Sequence, residues 1–174
     1  MIKKKLLKNA KKIDQFLINF LKKQKKSLLV KPMKYGIISG GKKIRSTIIF
    51  DTGKIFNIKE KKLLNICAAV ECIHSYSLIH DDLPCMDNDS MRRGKPSTHI
   101  KFGEASAVLA GSSLLTLAFE IIADKKYLLN PKIKNEIIKS LASCSGHTGI
   151  AEGQELDLKF ENKKKKINQI IDMQ

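Results

Sequence analysis

The densest chemistry in the chain lies in IHDDLPCMDNDSMRRGKPSTH, from Ile79 to His99, where Asp81, Asp82, Asp87 and Asp89 fall within nine residues and Arg92 and Arg93 follow directly. Asp81 and Asp82 close an apolar, helix-forming stretch, and at a helix C-terminus carboxylates are costly unless a cation compensates them. Mg²⁺ does this well, because it takes one or two carboxylates, several waters and phosphate oxygens. Asp87 and Asp89, turned back by Pro84, are placed to complete such a site. Guanidinium groups beside it suit a diphosphate, with the metal bridging carboxylates to some oxygens and arginine forks binding the rest. A solvated acidic loop is the plain alternative on spacing alone. A calcium-binding loop fails, because Met91 puts a thioether where the third oxygen ligand belongs.

The arginines carry more information than the net charge. The 33 basic residues resolve into 30 lysines and three arginines, Arg45, Arg92 and Arg93. A planar fork of donors binds phosphate in a way that an ammonium does not reproduce, so arginines kept in a lysine-rich chain mark chemistry. Arg45 stands in GGKKIRS, from Gly40 to Ser46. Gly36, Gly41 and Lys42 nearly spell a P-loop, but Lys43 occupies the Ser/Thr position and no strand precedes it. What remains is a double glycine opening a helix, with exposed N–H groups and Lys42, Lys43 and Arg45 nearby, an arrangement that binds an anion without metal. His74 lies seven residues before Asp81, on nearly the same helical face.

The elements that must position these residues read as helical almost throughout. Apolar residues recur at helical spacing from Ile2 to Leu29, and Pro32, Gly36, Gly40 and Gly41 mark a break. Further helices are predicted over Lys42–Ile55, Glu60–Asp82, Gly103–Asp124, Pro131–Ser145 and Gly149–Phe160, with no strand of useful length. The predicted fold class is all-α, in a single domain. Lys163 to Lys166 read as a solvated loop, and INQIIDMQ opens a new amphipathic face that stops after two turns, so the sequence predicts that the chain continues beyond Gln174.

Composition excludes several function classes. At 174 residues and 43% apolar content the chain builds a genuine core. The charge of +16 invites a nucleic-acid reading, but the lysines are spread evenly and few aromatics accompany them as stacking platforms, so no nucleic-acid partner is expected. Cys67, Cys72, Cys85 and Cys144 show no CxxC spacing, which fits free thiols in a reducing cytoplasm. The longest uncharged run, Ala105 to Phe119, is fifteen residues, against the roughly 20 needed to span a bilayer, so no stable membrane insertion is expected. Lysines interrupt the N-terminal apolar run, which excludes a signal-peptide core.

The segments GGKKIR, ECIHSYSLIHDDLPCMDNDSMRRGKPSTH, KFGEA and GQELDL together resemble the short-chain trans-polyprenyl diphosphate synthases, and within that family the bacterial farnesyl diphosphate synthases. The resemblance runs along essentially the whole chain. It implies an isoprenoid-synthase-type helical bundle around a deep central cavity. It further implies condensation of isopentenyl diphosphate with an allylic diphosphate, dimethylallyl or geranyl, dependent on Mg²⁺ with Mn²⁺ as substitute, in a cytoplasmic homodimer. Position by position, Asp81, Asp82 and Asp87 correspond to the catalytic metal ligands and Arg92 to a contact of the allylic diphosphate. Lys42, Arg45, His74 and Arg93 correspond to the isopentenyl diphosphate site. Lys43 stands where arginine is usual and Ser46 where proline is usual. Gln154 and Asp157 correspond to a helix lining the cavity. Tyr76, five residues before Asp81, corresponds to the position that sets product length, where a bulky ring favours fifteen carbons.

The family pattern also contains a Lys-Thr pair, a Phe-Gln pair, a second aspartate-rich motif and a further lysine that these 174 residues lack. The expectation is therefore the N-terminal portion of one polyprenyl synthase domain. Two other readings stand beside the farnesyl diphosphate synthase: a non-catalytic relic or subunit retaining partial Mg²⁺–diphosphate binding, and a geranylgeranyl diphosphate synthase.

Overall fold

Two helices that are apolar on most of their circumference form the centre: α4, Glu60–Asp81, and α6, Glu104–Ala123. Both helices bury small residues, with Cys67, Ala68, Ala69 and Cys72 on α4 and Ala107, Ala110 and Ala118 on α6 all fully buried. Small side chains let the two backbones approach closely, while Leu114 and Ile121 fill the remaining space. The computed structural model describes residues 2–38, 40–161 and 166–173. These fall into two compact units, residues 1–129 and 130–174.

In the first unit, α1 (Ile2–Lys22), α2 (Val30–Ile37) and α3 (Ile44–Ile55) pack against the central pair. Helix α1 buries Ile13, Leu17 and Leu21, spaced by four residues on one face. Its lysines face outward; Lys12 pairs with Glu60 and Lys5 lies 2.6 Å from Asp51. The helix ends at Lys22 and not at Leu29, because the apolar stripe ends with Leu21, after which a run of lysines has nothing to bury. The last turn tightens, with the N–H groups of Lys23 and Gln24 donating to Phe20 and Leu21.

The stretch expected as a break contains α2. Pro32 sits in its first turn, where a missing N–H costs nothing. Gly36 is there for packing: a Cβ at that position would lie 2.4 Å from Ile79 Cδ1 on α4. Between α4 and α6 the chain forms a short antiparallel hairpin, β1 (Met91–Arg92) and β2 (Lys95–Pro96), followed by α5 (Thr98–Phe102). With two residues in each strand, this hairpin is compatible with the expectation of no strand of useful length. Arg93 and Gly94, both at positive φ (54° and 74°), make the two-residue turn that such a hairpin demands. Gly103, at φ 87°, turns the chain from α5 into α6.

In the second unit, Asn130 caps α7 (Pro131–Ser145) by accepting the Lys132 N–H at 2.9 Å, with Pro131 in the first turn. Helices α8 (Ile150–Phe160) and α9 (Ile167–Met173) follow, the last where the sequence predicts a new helical face. Of the lysine run expected to be a solvated loop, Lys163 to Lys165 lie outside the described residues. All four cysteines are free thiols, Cys67 and Cys72 buried, Cys85 and Cys144 exposed. Among the described residues one helix, α6, is long and apolar enough to cross a membrane, and here it is a core helix of the first unit.

Candidate active site

The C-terminal end of α4 delivers Asp81 and Asp82 into different environments, because consecutive helical residues point about 100° apart. Asp81 is half-buried, and its carbonyl accepts the Asp87 N–H at 2.9 Å, which folds the loop back and sets the Asp81 and Asp87 backbones side by side. Asp82 points inward, 3% exposed, and its Oδ1 accepts from Arg92 Nε at 2.8 Å and from Arg92 Nη2. Arg92 Nη2 also reaches Asp89 Oδ2 at 3.3 Å. These contacts raise the Arg92 pKa further, chiefly through the hydrogen bonds to Asp82.

The hairpin turn sends the adjacent arginine elsewhere. Arg93 Nη1 donates to the Gly40 carbonyl at 2.5 Å, joining the aspartate loop to the double-glycine loop. Gly41 lies against the same guanidinium: a Cβ there would stand 2.7 Å from Arg93 Nη1, and its φ of 102° disfavours any other residue. Lys42 and Arg45 are exposed beside this contact.

Arg45 Nη1 lies 3.4 Å from His74 Nε2. Burial pushes the His74 pKa down to about 4, with the Arg45 guanidinium adding to it and Arg93 and Lys43 contributing the same sign. The ring is therefore neutral near pH 7, and its Nε2 lone pair accepts from Arg45 while Nδ1 carries the proton. Because the folded value lies below the ordinary 6.5, the neutral ring stabilises the fold fully above that pH, and this contribution is lost as pH falls towards about 4. An NMR titration of the His74 ring is expected to show a midpoint near 4 in the free chain. A free-chain midpoint above 6 would refute the neutral, arginine-facing ring.

Lys43 departs from the sequence expectation. Instead of joining Lys42 and Arg45 it turns inward, 6% exposed, and its Nζ donates to the Ile37 carbonyl at 2.8 Å. Its backbone is left-handed, φ 46° and ψ 52°, at the cap of α3. Sequence reasoning also passed over Glu71, fully buried within contact of Lys43 and Ser46. The available signal was an acid on an apolar part of α4, which needs a buried cation.

Tyr76 is half-buried and its ring meets His80 edge-on with centroids 4.9 Å apart. His80 Nε2 lies 3.1 Å from the Val108 carbonyl, and a Cβ on Gly111 would come within 2.3 Å of the same nitrogen, so α6 supplies the seat for this ring pair. In the second unit, Gln154 is half-buried and Asp157 exposed on α8.

Carboxylate oxygens are the donors that Mg²⁺ prefers, and one or two suffice when phosphate and water complete the shell. Asp81 and Asp87 fit that requirement. Asp82, expected as a third ligand, is buried and spends Oδ1 on Arg92. Among the described residues no three His, Cys, Asp or Glu side chains converge into a ready-made metal cluster.

Residues 26–173 match the polyprenyl synthetase family. The chain belongs to this family. It is 45% identical over 159 residues to a farnesyl diphosphate synthase of Buchnera aphidicola, a match covering 89% of this chain and 55% of the relative. It is 48% identical over 136 residues to the farnesyl diphosphate synthase of Escherichia coli, covering 78% and 46%. Among solved structures, an FPP/GFPP synthase of Zymomonas mobilis superposes with a TM-score of 0.91 at 40% identity, over 97% of this chain and 62% of that one. The polyprenyl synthetase fold thus carries the all-α expectation, and the chain spans about half the length of the curated relatives it matches.

Proposed function

We propose that the chain serves a cytoplasmic, Mg²⁺-dependent prenyltransferase of isoprenoid biosynthesis, which condenses isopentenyl diphosphate with dimethylallyl or geranyl diphosphate to give farnesyl diphosphate. Residues 1–174 carry the N-terminal portion of one polyprenyl synthase domain, in a homodimer of the family type. The observation that carries this reading is the contact of Arg93 with the double-glycine loop, which brings two anion-binding segments of different character together. One is rich in carboxylates and suits a metal-bound diphosphate; the other presents Lys42, Arg45 and neutral His74 and suits a metal-free one.

Asp81 and Asp87 hold the metal. Asp82 orients Arg92, whose guanidinium meets the allylic diphosphate. Lys42, Arg45, His74 and Arg93 bind isopentenyl diphosphate. Mg²⁺, when bound, neutralises charge on the leaving diphosphate. The allylic C–O bond breaks with its electron pair on the diphosphate, the isopentenyl double bond forms the new C–C bond, and the released diphosphate takes up the proton whose loss restores the alkene. Tyr76, braced by His80, limits the growing chain and favours the fifteen-carbon product.

Calorimetry with the two substrates tests this reading. Geranyl diphosphate is expected to bind only with Mg²⁺ or Mn²⁺, and isopentenyl diphosphate to bind without metal. Metal-independent binding of geranyl diphosphate would overturn the assignment of the two halves.

A further inference from the structure

Glu71 is 1% exposed on α4, one turn before His74, and both of its carboxylate oxygens are engaged by the first turn of α3. Oε1 accepts from Ser46 Oγ at 2.8 Å and from the Ser46 N–H at 3.4 Å. Oε2 lies 3.6 Å from Lys43 Nζ. The same ammonium donates to the last carbonyl of α2, that of Ile37, and stands 3.7 Å from Asp14 Oδ1 on α1. One buried carboxylate and its lysine thus tie three helices, α1, α2 and α4, to the start of α3.

This arrangement is a poor device for stability alone. Desolvating an ion pair consumes much of its attraction, and apolar residues of similar volume often hold a core as well or better. Lys43 is moreover kept in a left-handed conformation that a residue with a Cβ disfavours. Directional bonds from a rigid helix do provide a fixed register. With Lys43 and Ser46 held inward, Lys42 and Arg45 are left exposed, and Arg45 meets His74 from the same helix that carries Glu71.

We infer that Glu71, with Lys43 as counter-ion and Ser46 as hydrogen-bond donor, is a positioning residue for the isopentenyl diphosphate site, locking the first turn of α3 so that Lys42 and Arg45 face His74. This rests on the assignment of those three residues to isopentenyl diphosphate.

The test is calorimetry on the full chain with two ligands, isopentenyl diphosphate without metal and geranyl diphosphate with Mg²⁺. Glu71→Gln and Lys43→Met are expected to weaken isopentenyl diphosphate binding by roughly 10- to 100-fold, the scale of a misplaced binding group. Geranyl diphosphate binding is expected to change by less than about threefold, and Lys43→Arg, which keeps the buried cation, to restore isopentenyl diphosphate binding to within about threefold of the unaltered chain. Unchanged isopentenyl diphosphate affinity in folded Glu71→Gln and Lys43→Met overturns the inference, and so do equal losses for both ligands, which mark a merely structural role. Should neither variant fold, Ser46→Ala removes one donor and leaves the buried pair, and the same two-ligand comparison decides. Arg45→Ala separates the two levels: if it binds isopentenyl diphosphate as the unaltered chain does, the assignment of the site fails and this inference falls with it.

Discussion

Replacing Asp81 with alanine is expected to lower Mg²⁺-dependent condensation by roughly 10²- to 10³-fold, the scale seen when one group that stabilises developing charge is removed. The expectation follows from position. Asp81 is half-buried at the end of α4, and the backbone bond from Asp87 to its carbonyl sets the two residues next to one another. With Asp81 and Asp87 as its two carboxylates, the site would lose half of its ligand charge when one is deleted, and a Mg²⁺ held there would neutralise less of the charge on the leaving diphosphate. Asp89 is the internal control: exposed and 3.3 Å from Arg92, it lies outside the proposed metal pair, and Asp89→Ala is expected to have much the smaller effect. Incorporation of labelled isopentenyl diphosphate into product measures turnover, and Mg²⁺-dependent binding of geranyl diphosphate measures the metal assignment even where turnover is low. Mg²⁺-dependent binding that survives Asp81→Ala would remove Asp81 from the metal site.

Arg92→Ala is expected to act twice, on binding and on the fold. Asp82 is buried and receives two donors from this one guanidinium, so alanine leaves a buried carboxylate without its cation. Breaking such a pair by deleting one partner costs about 3 kcal/mol, with the partial exposure of Arg92 placing it at the lower end of the usual range. For a chain of this size that is a fall in melting temperature of roughly 6–12 °C. Affinity for geranyl diphosphate with Mg²⁺ is expected to drop by about 10²-fold or more with loss of the charge-assisted fork. Arg92→Lys separates the effects: a lysine returns charge to Asp82 and recovers part of the stability, but its single ammonium does not reproduce the planar set of donors. A variant with the original melting temperature and the original affinity would mean that Arg92 serves neither role.

Much of the candidate site is legible in residue types. Asp81, Asp87, Arg45, Arg92, Arg93 and His74 were picked out because few chemistries explain clustered carboxylates followed by rare arginines, and the folded chain sets Arg45 beside His74 and Arg93 on the double-glycine loop. The directions of neighbours were not legible. Lys42 and Lys43 are identical in type and adjacent, yet one is exposed and the other buried against Glu71. Asp81 and Asp82 divide in the same way. No feature of a lysine pair or an aspartate pair says which member turns inward, because that depends on what the other helices place opposite each.

The helical class and the approximate extents of α4, α6, α7 and α8 were determined by sequence alone, since apolar content between turn-forming residues is a local property that survives in any packing. Where that local signal thinned, tertiary contacts decided. Pro32 and Gly36, which look like breakers, lie within α2 because a proline is harmless in a first turn and a glycine lets α2 approach Ile79. The hairpin of four paired residues was too short to show a period, and it exists because Arg93 and Gly94 adopt positive φ and Ser97 bonds back to Ser90 and Asp89. The sequence by itself determined which groups are available for diphosphate chemistry. Only the tertiary structure decided that Glu71 and Lys43 are spent on holding α3 in place, since burial and pairing belong to the assembled helices and to no segment alone.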